Sequence, residues 1–317
     1  MDRGYTWFAL NNSTTDYVEL SRHLANSIKQ YNKHALTCII TDQKVDYKEF
    51  DHVVLLENDY SKEQEWKLNN EWQVFELTPF KHTIKLEADM LFTDNTDWWW
   101  NHLCLKNIIF SYDCRNYKDE LIDSTLYRNL FKVNDLPNIY SALTYFRKSK
   151  EAQMFYNVCR DITLNWHEVK DKMLINCHDD QPTTDVVYAL ALKIIDPLRT
   201  NEIRHEWFTM MHNKNNVNRI SEAFNNDQYL YTMNVENNLY SGCHRQSRVF
   251  HYHNKGLAKE LNDLLMKGEN VYYCSEAGSP VISDPGVGLV KCLVEINPDV
   301  EIISYGGVCS IITALEV

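Results

Sequence analysis

The sequence predicts an α/β protein with a mostly parallel sheet, and three observations lead there. Short apolar runs near the N-terminus alternate with one amphipathic stretch in the order strand, helix, strand, strand. Beyond residue 255 a strand, a glycine-bearing loop and a helix follow one another twice. The balance of 44% hydrophobic and 24% charged residues is that of a folded chain, and 317 residues suffice for one large domain or two ordinary ones.

The first expected strand is Thr6–Leu10. A helix follows from about Asp16 to Tyr31, capped by Asp16 or Thr15, with Val18, Leu20, Leu24 and Ile28 as its buried stripe. Residues 36–42 (LTCIITD) are nearly all apolar, as in a strand covered on both faces, and 52–57 (HVVLLE) supply another. The next strand is read over 83–92, TIKLEADMLF. Sheets of this kind bind ligands beyond the carboxyl ends of their strands.

Glu87 and Asp89 stand two apart in that last run, so in an extended chain their side chains point the same way. Neighbouring carboxylates repel unless one is protonated or a cation lies between them. Oxygen donors suit Mg²⁺ or Mn²⁺. The plainer alternative is two solvated residues at a strand end. DWWWNH (97–102) reads as a packed or rim aromatic cluster rather than a platform for sugars. His178, Asp179 and Asp180 precede an expected helix start as a cap-rich loop, or else share in an acceptor or metal site. His205 and His212 have no ligand spacing and are read as structural, and the Asn-rich stretch 213–228 as a loop. No G-x-S-x-G elbow exists on which to build a nucleophilic serine.

Composition divides the chain. After Gly4 no glycine occurs until Gly242, and seven of the nine lie between Gly256 and Gly307, whereas all eight tryptophans lie at or before Trp207. A net charge of −12 argues against a broad nucleic-acid surface. Nine cysteines, an odd number without a C-x-x-C pair, point to reduced thiols and a cytoplasmic setting. The N-terminus lacks the apolar core of a signal peptide, and the longest apolar stretch, from Val186, falls short of the roughly 20 residues a membrane span needs. No membrane partner is expected.

On the strength of the strand order and the Glu87-Ala88-Asp89 motif, residues 1–255 resemble the nucleotide-sugar glycosyltransferases of the GT-A type. The resemblance implies a Rossmann-like nucleotide-diphospho-sugar domain, expected over 1–245. A short acidic motif ending a central strand would hold Mn²⁺ or Mg²⁺ against the donor's diphosphate. Glu87 and Asp89 would be the metal ligands, joined by a later histidine, His251 or His253, of which His253 is the preferred candidate. Asp185, in PTTDVVYALAL, would open a helix and face the acceptor as contact or base. The sequence departs from the family in its first acidic residue, Glu rather than the commoner Asp, and in lacking glycines near the donor.

The second segment carries SEAGSPVISDPGVGLV after the strand NVYYC and then YGGVCSIITALEV after the strand EIISY. Glycines there let a ligand approach the main chain, and helix starts offer N–H groups. This wording resembles the tetrapyrrole-methylase superfamily, in particular its ribosomal RNA small-subunit methyltransferase I branch, over residues 249–317. The resemblance implies an S-adenosylmethionine cleft and methylation of a ribose 2′-hydroxyl in rRNA. By position, Glu276, Gly278, Ser279, Pro280, Asp284, Pro285 and Gly286 would form one cofactor loop. Gly306, Gly307, Val308 and Cys309 would form the other. The family's opening G-T-P-I-G-N loop is missing, Glu276 and Gly306 replace the usual Asp and Pro, and the segment is expected to be an incomplete copy.

The expectation is therefore a GT-A-like domain followed by a partial α/β methylase-like domain. Metal-dependent glycosyl transfer from a nucleotide sugar to an unnamed acceptor would fall to the first. The alternatives are an S-adenosylmethionine-dependent rRNA methyltransferase with the first domain as accessory, and a non-catalytic nucleotide-binding module.

Overall fold

The structure, a computed structural model, describes residues 2–122, 125–198, 204–213, 231–233, 239–241 and 244–252. The chain opens with β1 (Arg3–Phe8), α1 (Tyr17–Tyr31), β2 (Thr37–Thr41) and β3 (His52–Leu55). Asp16 caps α1 by accepting the Glu19 N–H at 3.0 Å, and Val18, Leu20, Leu24 and Ile28 are all buried beneath it. A 3-10 turn (Leu68–Gln73) and the short α2 (Val74–Leu77) lead into β4 (His82–Lys85) and β5 (Met90–Phe92). Then come α3 (Trp99–Leu103), β6 (Ile108–Tyr112), α4 (Thr125–Val133), β7 (Ile139–Arg147), α5 (Lys150–Leu164), α6 (Trp166–Met173) and α7 (Thr184–Ile195). Short strands follow: β8 (Met210–Asn213), β9 (Tyr231–Met233), β10 (Leu239–Ser241), β11 (His244–Gln246) and β12 (Val249–Tyr252).

The main sheet has the order β3-β2-β1-β4-β7-β6, with β1 to β4 parallel and β7 antiparallel to both its neighbours. Alternation along β1 feeds two cores. Tyr5, Trp7 and Ala9 enter the one that includes α1, Trp99 and Trp100, whereas Phe8 and Leu10 enter the one beneath α5 and α7. Trp7 is fully buried and donates its indole N–H to Ser21 Oγ at 2.8 Å, the partner a buried indole needs. Gly4 lets β1 pass against the ring of Phe80, where any Cβ would collide. The result is the mixed α/β, Rossmann-like architecture with a parallel-rich sheet expected from the sequence.

Two boundaries differ from the reading of the sequence. The run 83–92 is two strands: β4 ends at Lys85, and Leu86–Asp89 turn the chain into a second sheet of order β5-β12-β8. Most of the run is buried in both sheets, and no glycine or proline marks the turn. Residues 249–252, assigned by sequence to the second segment, instead form β12, antiparallel to β5 and parallel to β8. Residues 249–252 are thus part of the described sheets.

Five cysteines are described, all as free thiols. Burial pushes Cys38 up to about 12 and lifts Cys114 and Cys159 as well, so they pack as small apolar groups. Among the described residues, no helix is long and apolar enough to cross a membrane.

Candidate metal centre

The turn between β4 and β5 carries Glu87 and Asp89 at the carboxyl end of a central parallel strand. Local bonds set its shape: Glu87 N–H points at Met90 Sδ (3.4 Å), and the Asp89 carbonyl accepts the Tyr252 N–H at 3.2 Å. That last bond ties β12 to the turn, and the register sets His251 opposite Met90. His251 Nε2 then lies 3.2 Å from Asp89 Oδ1 and 3.4 Å from Glu87 Oε2.

The three donor atoms lie within 4.8 Å of one another. His251 and Asp89 are buried and Glu87 is 23% exposed, which leaves the group one open side. Two carboxylates and one imidazole suit a divalent ion that retains water, as Mn²⁺ or Mg²⁺ does, better than a closed four-ligand zinc site. The ring of His212 stands edge-on to that of His251, with centroids 4.7 Å apart, and Tyr140 lies beyond it at 6.0 Å.

Beneath the turn lies a buried charge network. Lys85, the last residue of β4, is fully buried, with Nζ 2.6 Å from Glu71 Oε2, 3.9 Å from Glu87 Oε1 and 3.4 Å from the Ser141 carbonyl. Burial raises Glu71 and works against the Lys85 ammonium. Glu71 and Glu87 together outweigh that penalty and hold Lys85 above the ordinary lysine range. Ser141 also donates its N–H and hydroxyl to Asp185 Oδ1, both at 2.7 Å, and Arg128 meets Asp185 Oδ2 at 2.9 Å. The Arg128 guanidinium lies 3.6 Å from the centre of the Tyr140 ring.

Asp185 lies in the first turn of α7, as read from the sequence, and Lys85 and Ser141 link it to the turn that carries Glu87 and Asp89. Of the two candidate histidines, the structure brings His251 to the acids; the preferred one, His253, lies outside the described residues. So do Glu276, Gly278, Ser279, Pro280, Asp284, Pro285, Gly286, Gly306, Gly307, Val308 and Cys309. The loop 177–183 braces α6: the Asp179 carbonyl accepts from Trp166 Nε1 (3.0 Å) and Lys170 Nζ (3.2 Å). Trp99 and Trp100 are core residues, while Trp98 packs on Trp207 at 5.2 Å near the surface, so DWWWNH combines packed and rim positions. The reading of the sequence missed Glu71, Arg128 and Ser141, and left His212 without a link to the site. A buried glutamate in NNEWQ has no local signature, because its partner lies on another element.

No family model matches the chain. Curated relatives share one short stretch. Over 67 residues the chain is 42% identical to the ribosomal RNA small subunit methyltransferase I of a Synechocystis strain, and equally so to that of Streptococcus pyogenes serotype M6. Each match takes in 21% of this chain and spans only 23% of the relative's length. Among solved structures, the glycosyltransferase GlyE of Streptococcus pneumoniae superposes with a TM-score of 0.35 at 11% identity, over 61% of this chain and 43% of that one. The proteins named in these matches are all transferases.

Proposed function

We propose that the described domain is a metal-dependent transferase that moves a glycosyl group from a nucleotide sugar to an acceptor. The observation that carries this reading is the convergence of Glu87, Asp89 and His251 at the carboxyl end of a central parallel strand. That edge is where such sheets take their ligands. Glu87, Asp89 and His251 would hold Mn²⁺ or Mg²⁺, which when bound neutralises charge developing on a departing diphosphate.

Asp185 is assigned to acceptor contact rather than to proton abstraction. A carboxylate that accepted a proton would give up its charge pairing with Arg128, whereas a hydrogen bond to an acceptor hydroxyl leaves that pairing intact. The acids thus divide the chemistry between them. Those of the turn hold the cation, and the one in the first turn of α7 positions the acceptor.

Thermal unfolding of the intact chain tests the reading, because a ligand that prefers the folded state raises the midpoint. UDP- or GDP-sugars should raise it only with Mn²⁺ present, and Glu87→Ala/Asp89→Ala should abolish the shift. A sugar-nucleotide shift that ignores Mn²⁺ would remove the metal from the proposal.

The matched 67 residues favour a second reading for the other segment. The residues beyond β12, 253–317, would be a partial S-adenosylmethionine-binding unit, with rRNA as the implied methyl acceptor. A midpoint shift with S-adenosylhomocysteine supports it, and an unchanged midpoint across a titration to high ligand excess overturns it.

A further inference from the structure

Glu87 faces two ways. Its Oε2 looks toward His251 at 3.4 Å and its Oε1 toward the Lys85 ammonium at 3.9 Å. Lys85 has no access to solvent, and its shortest contact is the 2.6 Å pair with Glu71. The ammonium therefore sits between two carboxylates, close to the buried one and more distant from the one at the candidate metal site.

The chain has invested a second buried carboxylate in this arrangement, and burial of two charges is costly unless each is answered. Glu71 comes from the 3-10 turn preceding α2 and meets the centre through its 2.6 Å pair with Lys85. A lysine at this point without Glu71 would close on Glu87 and compete with a cation for the same carboxylate.

We propose that the Glu71–Lys85 pair is a positioning device for the metal centre. Glu71 holds the Lys85 ammonium back from Glu87, leaving that carboxylate available to a divalent cation, and the pair thereby sets the affinity of the site. This inference rests on the metal reading given above. Glu71 and Lys85 are positioning residues, since they act through Glu87.

The device predicts effects of opposite sign in two variants. Glu71→Gln removes the restraint but keeps the ammonium, so Lys85 moves toward Glu87 and Mn²⁺ binding weakens. A loss of about fivefold or more is expected, the scale on which close charge pairs shift binding equilibria. Glu71→Leu/Lys85→Met removes restraint and competitor together, with apolar groups that a core accepts well, and Mn²⁺ should bind more tightly than to the wild type. Packing damage alone would lower stability in either variant but would not drive affinity in opposite directions.

The measurement is isothermal titration of Mn²⁺ alone into the intact chain and each variant, with urea unfolding run in parallel. Weaker binding in the single variant and tighter binding in the double one supports the device; where only one variant folds, its own direction decides. A wild-type chain that binds Mn²⁺ while the folded variants stay within about twofold of it, or shift the same way, overturns the positioning role alone. A wild-type chain that binds no Mn²⁺ overturns the metal reading, and this inference with it.

Discussion

Asp185, proposed above to contact the acceptor, also holds the fold together. It accepts two bonds from Ser141 and pairs with Arg128, which is only 6% exposed. Asp185→Asn leaves that guanidinium facing a neutral amide. Breaking a pair this deep should cost about 3 kcal/mol in urea unfolding, and Arg128→Met in the same chain should recover part of it. Asp185 was legible in the sequence as an acid opening an apolar helix. Arg128 was not, because it lies 57 residues away and nothing in its local spacing points to α7. The same holds at the candidate metal centre: Glu87 and Asp89 form a local pattern, but His251 reaches them only through the pairing of β12 with β5.

Among the elements, β1 and α1 each yield a prediction. Gly4→Ala would drive a methyl group into the Phe80 ring and should cost about 1–3 kcal/mol, while Phe80→Leu in the same chain should relieve most of the strain. Asp51 ties α1 to the start of β2. Burial alone would raise its carboxyl, but the Thr37 N–H and hydroxyl and the Lys29 ammonium outweigh burial and hold it below the ordinary range. The folded state thus takes up this proton less readily than the unfolded chain. The stabilisation is complete above roughly pH 4 and is lost as pH falls through the depressed value. Asp51→Asn should accordingly flatten the acid limb of a plot of unfolding midpoint against pH. The first strands and α1 were readable because short apolar runs and a capped amphipathic stretch are local signals. The break between β4 and β5 was not, since apolar residues alternate with charged ones across it in TIKLEADMLF, as within a single strand, and no breaking residue occurs.

For the whole molecule, the opposite distributions of tryptophan and glycine marked two segments, and the tryptophans of the first are largely accounted for by its two cores. VFHY is an apolar run that suits either segment in the sequence, and it is the pairing of β12 with β5 and β8 that brings it into the described sheets. The buried thiols offer a way to follow the described fold in time. Cys38 lies in β2, Cys159 in α5 and Cys114 just beyond β6, and in each the closed state suppresses the reactive thiolate. In variants retaining one of these cysteines at a time, reaction with a disulfide reagent becomes a clock that advances only when the surrounding structure opens. If the two cores open as one cooperative unit, the three clocks should run at a common rate with the same urea dependence. A faster Cys114, whose side chain shares its core with Met90 of β5 and Val249 of β12, would show the β5-β12-β8 sheet breathing ahead of the rest.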